Sequence, residues 1–318
     1  MCPVCITAAV LMAGKVASSG GVAAIVMKKL GVKNVAINHP TTIHPRRITM
    51  DSSTMEAVHT HVVSHEEWLA ARKEFLAKEK EFTQLRDDLS RERRSLPWEK
   101  VEKRYEFESA KGTVPLGDLF AGRGQLMVYH FMFGPGWEEG CKSCSYLADH
   151  FDGMTIHLAN RDTTLVVISQ APLAEIEAFK KRMGWKFQWV SSYGSDFNFD
   201  YHVSFTSEGQ AAGPVSYNYK TMVFPSDEAP GLSVFAMDAD GEVFHTYSTY
   251  ERGLDILVGT YNFLDLTPKG RDEDGLAFSM SWVRHHDRYA DNYVVDSIKG
   301  YEQPKATGGS CCSEKEHT

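Results

Sequence analysis

Hydrophobic and polar residues alternate along this chain in three regimes. The first thirty residues, MCPVCITAAVLMAGKVASSGGVAAIVMKKL, are apolar and small. Lys15 and the Ser18–Gly21 run divide them into two pieces of about ten residues, each short of the ~20 that a membrane span needs. No basic residue precedes the apolar stretch, which makes it a poor secretory signal. The expectation is a short helical hairpin that packs on a partner or on itself, with membrane association through residues 4–30 as the alternative. From Gly31 to His61 the chain turns polar and carries His39, His44, His59 and His61 without a steady apolar period. This reads as a linker whose histidines are solvated rather than metal-bound.

The second regime has a period of seven. Trp68, Phe75, Phe82 and Leu89 form a stripe, widened by Leu69, Leu76 and Leu85, with Lys and Glu on the other face. Ser64 is a good N-cap with Glu67 three residues on, and Pro97 ends the run. The pattern predicts a long amphipathic helix whose apolar face lies against the following domain or, alternatively, against a second copy in a homodimer through the 64–95 helix.

From Val101 onward short apolar runs alternate with helical spacing, the signature of an α/β layer fold. Gln125–Phe133 and Thr163–Pro172 are continuous apolar runs fit for central strands, and Ile176, Phe179 and Met183 have helical spacing with Gly184 as a C-cap. Leu232–Tyr250 reads as a hairpin turning at Asp240 and Gly241, and Gly253–Leu266 as a closing helix. The order is strand, helix, strand, helix, long connection, hairpin, helix, which is that of a thioredoxin-like fold: a central mixed sheet flanked by helices, preceded here by the long helix. Four segments follow: 1–60, apolar segment and polar linker; 61–97, the long helix; 98–300, the thioredoxin-like domain; and 301–318, a flexible Gly-rich tail.

Composition adds limits. The chain has 318 residues, 42% hydrophobic and 24% charged, enough for an ordinary core in one large or two small domains. Thirty-four basic residues against 42 acidic give a net charge of -8 with no localised basic patch, which argues against a nucleic-acid partner. No nucleotide or flavin fingerprint occurs, so no cofactor is expected.

The six cysteines fall in three close pairs, Cys2/Cys5, Cys141/Cys144 and Cys311/Cys312. A disulfide closing so small a loop stabilises little, so redox or soft-metal chemistry is favoured over cross-linking. Cys141 and Cys144 stand between a strand and a helix, where free backbone N–H groups stabilise a thiolate. Cys141 is then the attacking sulfur and Cys144 the resolving one, with Lys142 adding positive charge. Glu138 and Glu139, just ahead of Cys141, would raise its pKa if they pointed at it. A CxxC is also half of a zinc site. His285 or His286 could complete one, giving a non-catalytic metal- or thiol-binding module as the rival reading; the same histidines could instead give acid-base help to the thiol. Trp189–Phe205, rich in rings and polar side chains, is an ordered, partly buried loop or a recognition wall near the dithiol. Cys311 and Cys312 lie on a tail long enough to exchange with the Cys141/Cys144 pair, or to bind a soft metal.

The segments YHFMFGPGWEEGCKSCSYLADHFDG, FKKRMGWKFQWVSSYGSDFNFDYHVSF, HTYSTYERGLD, YNFLDLTPKGRDE and WVRHHDRY together resemble a bacterial thioredoxin-like family, a numbered domain of unknown function, over roughly Val62 to Tyr289. The resemblance implies a thioredoxin-like domain with its CxxC at the usual place, and no established reaction. Thioredoxins proper carry Trp directly before CxxC, whereas three residues separate Trp137 from Cys141 here. Pro230 stands where thioredoxins place a cis-proline that shapes the site and exposes backbone to an extended peptide. A peroxidatic cysteine of peroxiredoxin type would have Thr or Ser three residues earlier, where Glu138 stands, which lowers a thiol peroxidase reading without removing it. The resulting expectation is a cytoplasmic thiol-disulfide oxidoreductase acting on a disulfide or thiol substrate, supplied with electrons by cellular thiols or a partner reductase.

Overall fold

Ser64 does start a helix. Its hydroxyl accepts from the Glu67 N–H and the Glu67 carboxylate accepts from the Ser64 N–H, closing both arms of a capping box at the head of α1, His65–Arg94. The computed structural model describes residues 61–289 and two short strands beyond them. The apolar segment, the linker, the tail, and with them Cys2, Cys5, Cys311 and Cys312, lie outside the described residues. Among the described residues no helix is long and apolar enough to cross a membrane.

After α1 come β1 (Glu99–Lys100), β2 (Glu106–Ser109), β3 (Gly112–Pro115) and β4 (Gln125–His130). The dithiol helix α2 (Lys142–Ala148) and α3 (Phe151–Ala159) lead to β5 (Thr163–Ser169), α4 (Leu173–Met183) and β6 (Gln188–Ser191). Short pieces follow, α5 (Phe197–Asp200), α6 (Ser207–Ala212), β7 (Val215–Tyr217) and β8 (Lys220–Met222), before the hairpin β9 (Gly231–Met237) and β10 (Val243–Tyr250). The last α-helix among the described residues is α7 (Gly259–Leu264), with strands β11 (Val295–Asp296) and β12 (Gly300–Tyr301) beyond it.

Eight strands form one sheet in the order β1-β10-β9-β4-β5-β6-β2-β3. At its centre β4 runs parallel to β5 and antiparallel to β9, which pairs antiparallel with β10. That β10-β9-β4-β5 arrangement, with helices joining the parallel strands and one closing after the hairpin, is the thioredoxin-like core. β4 and β5 are covered on both faces, which is why they read as unbroken apolar runs. Strand alternation sends Tyr129, Leu165, Val167 and Leu232 into one core, with Cys144, Leu147, Phe179 and Tyr261. It sends Leu126, Val128, Val166, Ile168 and Phe235 into the other, beneath Phe107, Leu119, Phe120 and Phe197.

Several expectations are corrected. The apolar stripe of α1 is not laid against its own domain: none of its residues is buried. The closing helix is a 3-10 segment, Glu251–Leu257, followed by the six-residue α7. The aromatic stretch after Trp189 is divided rather than gathered. Trp189 packs 4.6 Å from Phe131 on the dithiol side. Phe197 lies in the other core, and Tyr201 lines a groove of about 680 Å³ with Tyr105, His202, Tyr219, His245 and Tyr250. It does not form a wall beside the cysteines. β6, hidden within that stretch, extends the parallel part of the sheet through Val167↔Trp189 pairing.

Candidate active site

The polypeptide leaves β4 still paired, with Phe131 N–H donating to Ile168 O and Ala171 N–H to Phe133 O. It turns at Gly134–Trp137, where Gly136 has φ 77°, and returns so that Cys141 N–H donates to Met132 O at 3.0 Å. That last bond places Cys141 at the N-cap of α2, partly exposed, while Cys144 one turn later is 2% exposed. Both are thiols. Gly140 makes the close approach possible: a Cβ there would meet Phe131 at 2.6 Å and Phe179 at 2.8 Å.

The two sulfurs are held in opposite electrostatic states. The Cys144 side chain donates to Cys141; with the N–H groups of Cys144 and Ser143 and the charge of Lys142, this outweighs burial and lowers Cys141 to about 7. Burial pushes Cys144 well above the ordinary thiol range. Tyr129, fully buried on β4, hydrogen-bonds the Cys144 sulfur. Its own hydroxyl is raised, chiefly by burial.

Glu139 points away from the dithiol. It forms ion pairs with Arg182 and, at 2.7 Å, with Arg288, lies 3.1 Å from His285 Nδ1, and the Arg182 guanidinium holds its carboxyl below the usual range. The expected rise in the Cys141 pKa from this residue is therefore absent, because its charge is already satisfied. His285 Nε2 donates to Gly140 O at 2.9 Å, and His286 Nδ1 lies 2.7 Å from Asp149. Among the described residues no three His, Cys, Asp or Glu side chains are grouped to hold a metal ion. His285 engages the loop backbone instead of completing a Cys2His2 set.

Residues 280–288 form a strap over this loop. Lys142 Nζ donates to Ser281 O at 3.2 Å, Val283 is fully buried in the core that holds Cys144, and Trp282 packs edge-on to Tyr146 at 5.6 Å. Asp287 pairs with Arg182 at 2.9 Å, and the Glu273 carboxylate accepts from Trp282 Nε1 and the Met280 N–H.

Pro230 is not a cis-proline: the described residues contain no cis peptide bond. Ala229 N–H donates to Val203 O at 2.8 Å and the Tyr217 hydroxyl donates to Pro230 O at 2.7 Å, so the backbone there is already paired within the chain. Trp137 packs against the dithiol core and lies beside Gly134 and Glu228. Glu228 is a buried carboxyl that accepts from Ser204 at 2.8 Å, and burial raises it to about 8.

Tyr129, Glu228 and Arg182 are the site residues that motif reading misses. The signal for Tyr129 was its polar hydroxyl inside an apolar strand run, in phase with the face that α2 covers. Nothing local marked Glu228, which is 87 residues from Cys141 in sequence.

A family model described as a bacterial protein of unknown function (DUF899) matches residues 57–289. No curated protein matches the sequence. Among solved structures, the peroxidoxin BcpB from Mycobacterium tuberculosis is similar at 16% identity and a TM-score of 0.33, covering 52% of this chain and 95% of that one. A putative protein disulfide isomerase from Bacteroides thetaiotaomicron is similar at 18% identity and a TM-score of 0.30, covering 52% and 91%. A putative thiol:disulfide interchange protein DsbE from Chlorobium tepidum is similar at 11% identity and a TM-score of 0.30, covering 52% and 99%. Likenesses this distant do not bear on activity.

Proposed function

The chain belongs to the bacterial family of unknown function DUF899, and from the geometry of its own dithiol we propose that it is a thiol-disulfide oxidoreductase. The observation that carries the reading is the asymmetry of the pair: a partly exposed Cys141 lowered to about 7 beside a buried Cys144 held protonated. A sulfur that is thiolate near neutral pH attacks, and its protonated neighbour waits.

The Cys141 thiolate attacks one sulfur of a substrate disulfide. The substrate S–S bond breaks, a mixed disulfide forms, and the departing thiolate takes a proton from solvent. Cys144 then loses its proton and attacks the Cys141 sulfur, forming the Cys141–Cys144 disulfide and releasing the second substrate thiolate. Two electrons pass from protein to substrate, and a cellular thiol or partner reductase restores the dithiol. In the dithiol state Cys144 donates to Cys141 and Tyr129 hydrogen-bonds the Cys144 sulfur, which supports those roles.

The test is reduction of a small aromatic disulfide by the pre-reduced full chain. Cys141→Ser should abolish it and Cys144→Ser should stop at a stable mixed disulfide. A wild-type protein that fails to reduce the probe, yet carries stoichiometric zinc or copper lost on Cys141→Ser, would overturn the reading in favour of a metal-binding module.

A further inference from the structure

The 30-residue helix α1 is about 45 Å long at 1.5 Å per residue, and no side chain on it is buried. Trp68, Phe75, Phe82 and Leu89, seven residues apart, are 53%, 56%, 65% and 53% exposed. Four large apolar side chains in a single row along one helix are more than the scattered exposed residues of an ordinary surface. A strict seven-residue repeat drifts about 20° per heptad on a straight helix, and two such helices keep their rows in contact by supercoiling to the left.

The charges beside the row say what covers it. Immediately before each row residue stands an acid: Glu67, Glu74, Glu81 and Asp88. Four positions after each stands Arg72, Glu79, Arg86 or Arg93. In a parallel, in-register pair the residue before one row position meets the residue five further along the other helix. That produces Glu67 with Arg72, Glu81 with Arg86 and Asp88 with Arg93 across the pair, and a single like-charged contact, Glu74 with Glu79. Within one helix Arg72 already pairs with Glu79 at 2.7 Å and Asp88 with Arg91, so Glu81 with Arg86 is the cross-seam pair whose groups form no other ion pair among the described residues. An antiparallel pair would instead set the acidic flank against itself, Glu81 facing Glu81 and Glu74 facing Asp88. The second seam row, Ala71, Lys78, Leu85 and Glu92, is mixed, so the aromatic row holds the contact while Lys78 and Glu92 reach out to solvent along their aliphatic stems.

We infer that α1 is a dimerisation helix that binds a second copy of this chain in parallel register through Trp68, Phe75, Phe82 and Leu89. The flanking acid and arginine rows set its orientation. The inference is independent of the dithiol reading.

Light scattering on the full chain should show a mass twice 35.6 kDa, and Phe75→Glu with Phe82→Glu should raise the dimer dissociation constant at least about 10-fold while far-UV dichroism shows the domain still folded. Glu81→Lys should weaken the dimer, and adding Arg86→Glu should restore it, because only the parallel register pairs those two positions across the seam. Oxidation of a Trp68→Cys chain should link two copies through residue 68 itself. A monomeric mass for the wild-type chain, a dimer indifferent to the two glutamates, or a double charge variant no better than Glu81→Lys alone would each overturn it. A wild-type monomer would also result if residues 1–60 covered the row within one chain.

Discussion

Cys141 and Cys144 are chemically identical and three residues apart, yet their surroundings separate them. One receives hydrogen bonds and a nearby cation at a helix start; the other is buried in the apolar core that holds Leu147, Tyr129 and Phe131. Alkylation of reduced protein should therefore proceed at Cys141 with a midpoint near pH 7, with Cys144 modified only on unfolding, as mass mapping of the labelled peptide would show. Tyr129→Phe deletes the hydroxyl on the resolving sulfur. At about 1 kcal/mol for one such bond, release of the second substrate thiol should slow about 5-fold while the first attack is unchanged, read by single-turnover absorbance. Glu228 makes a stability prediction with a definite sign. Its carboxyl is raised from 4.5 to about 8 by burial, so between those values the unfolded chain has released a proton that the folded chain keeps. Stability from this group is whole below pH 4.5 and falls as pH rises through about 8. Glu228→Gln, which keeps the Ser204 contact, should leave urea stability at pH 5 nearly unchanged and raise it at pH 8 by on the order of 1–3 kcal/mol.

At the scale of elements, the unit that matters is β4, its loop and α2. The loop is three residues longer before the CxxC than in thioredoxins proper, and the added length is taken up by the Gly134–Trp137 turn and the Cys141 to Met132 bond. Gly140 lies under two aromatic rings, Phe131 just after β4 and Phe179 from α4, so the loop is seated against both. Gly140→Ala should lift the loop off them. A loss of about 1–3 kcal/mol in urea unfolding is expected, together with a Cys141 alkylation midpoint moved back toward the ordinary thiol value, because the helix N–H groups no longer meet the sulfur.

Across the whole molecule, the strap at 280–288 ties the end of the described domain to the dithiol loop, more than a hundred residues earlier. Glu139 is its hinge pin, taking Arg182, Arg288 and His285 together. Glu139→Gln would strip Arg288 of its counter-charge and leave Arg182 with Asp287 alone. Hydrogen exchange over 281–288 should then speed about 10-fold, with Cys144 becoming open to alkylation in the folded state. An unchanged exchange rate would mean that Glu273 and the buried Val283 hold the strap unaided.

The amino-acid sequence by itself determined what depends on neighbours along the chain: the Ser64 capping box, the apolar runs of β4 and β5, the Gly184 cap of α4, the hairpin turn at Gly241, and a CxxC at the head of a helix. Each is a local signal, a period or a cap, and survives any tertiary arrangement that buries the right face. The tertiary structure decided what needs two distant segments to meet. It turned Glu139 toward Arg182 and away from Cys141, placed Tyr129 against Cys144, buried Glu228 behind the loop, and spent His285 on Gly140 O rather than on a metal set. It also kept Pro230 trans within a backbone already paired to Val203 and Tyr217, and left the α1 row bare. A side chain's partner is fixed by which surfaces the folded sheet brings within hydrogen-bonding reach, and spacing along the chain does not carry that distance.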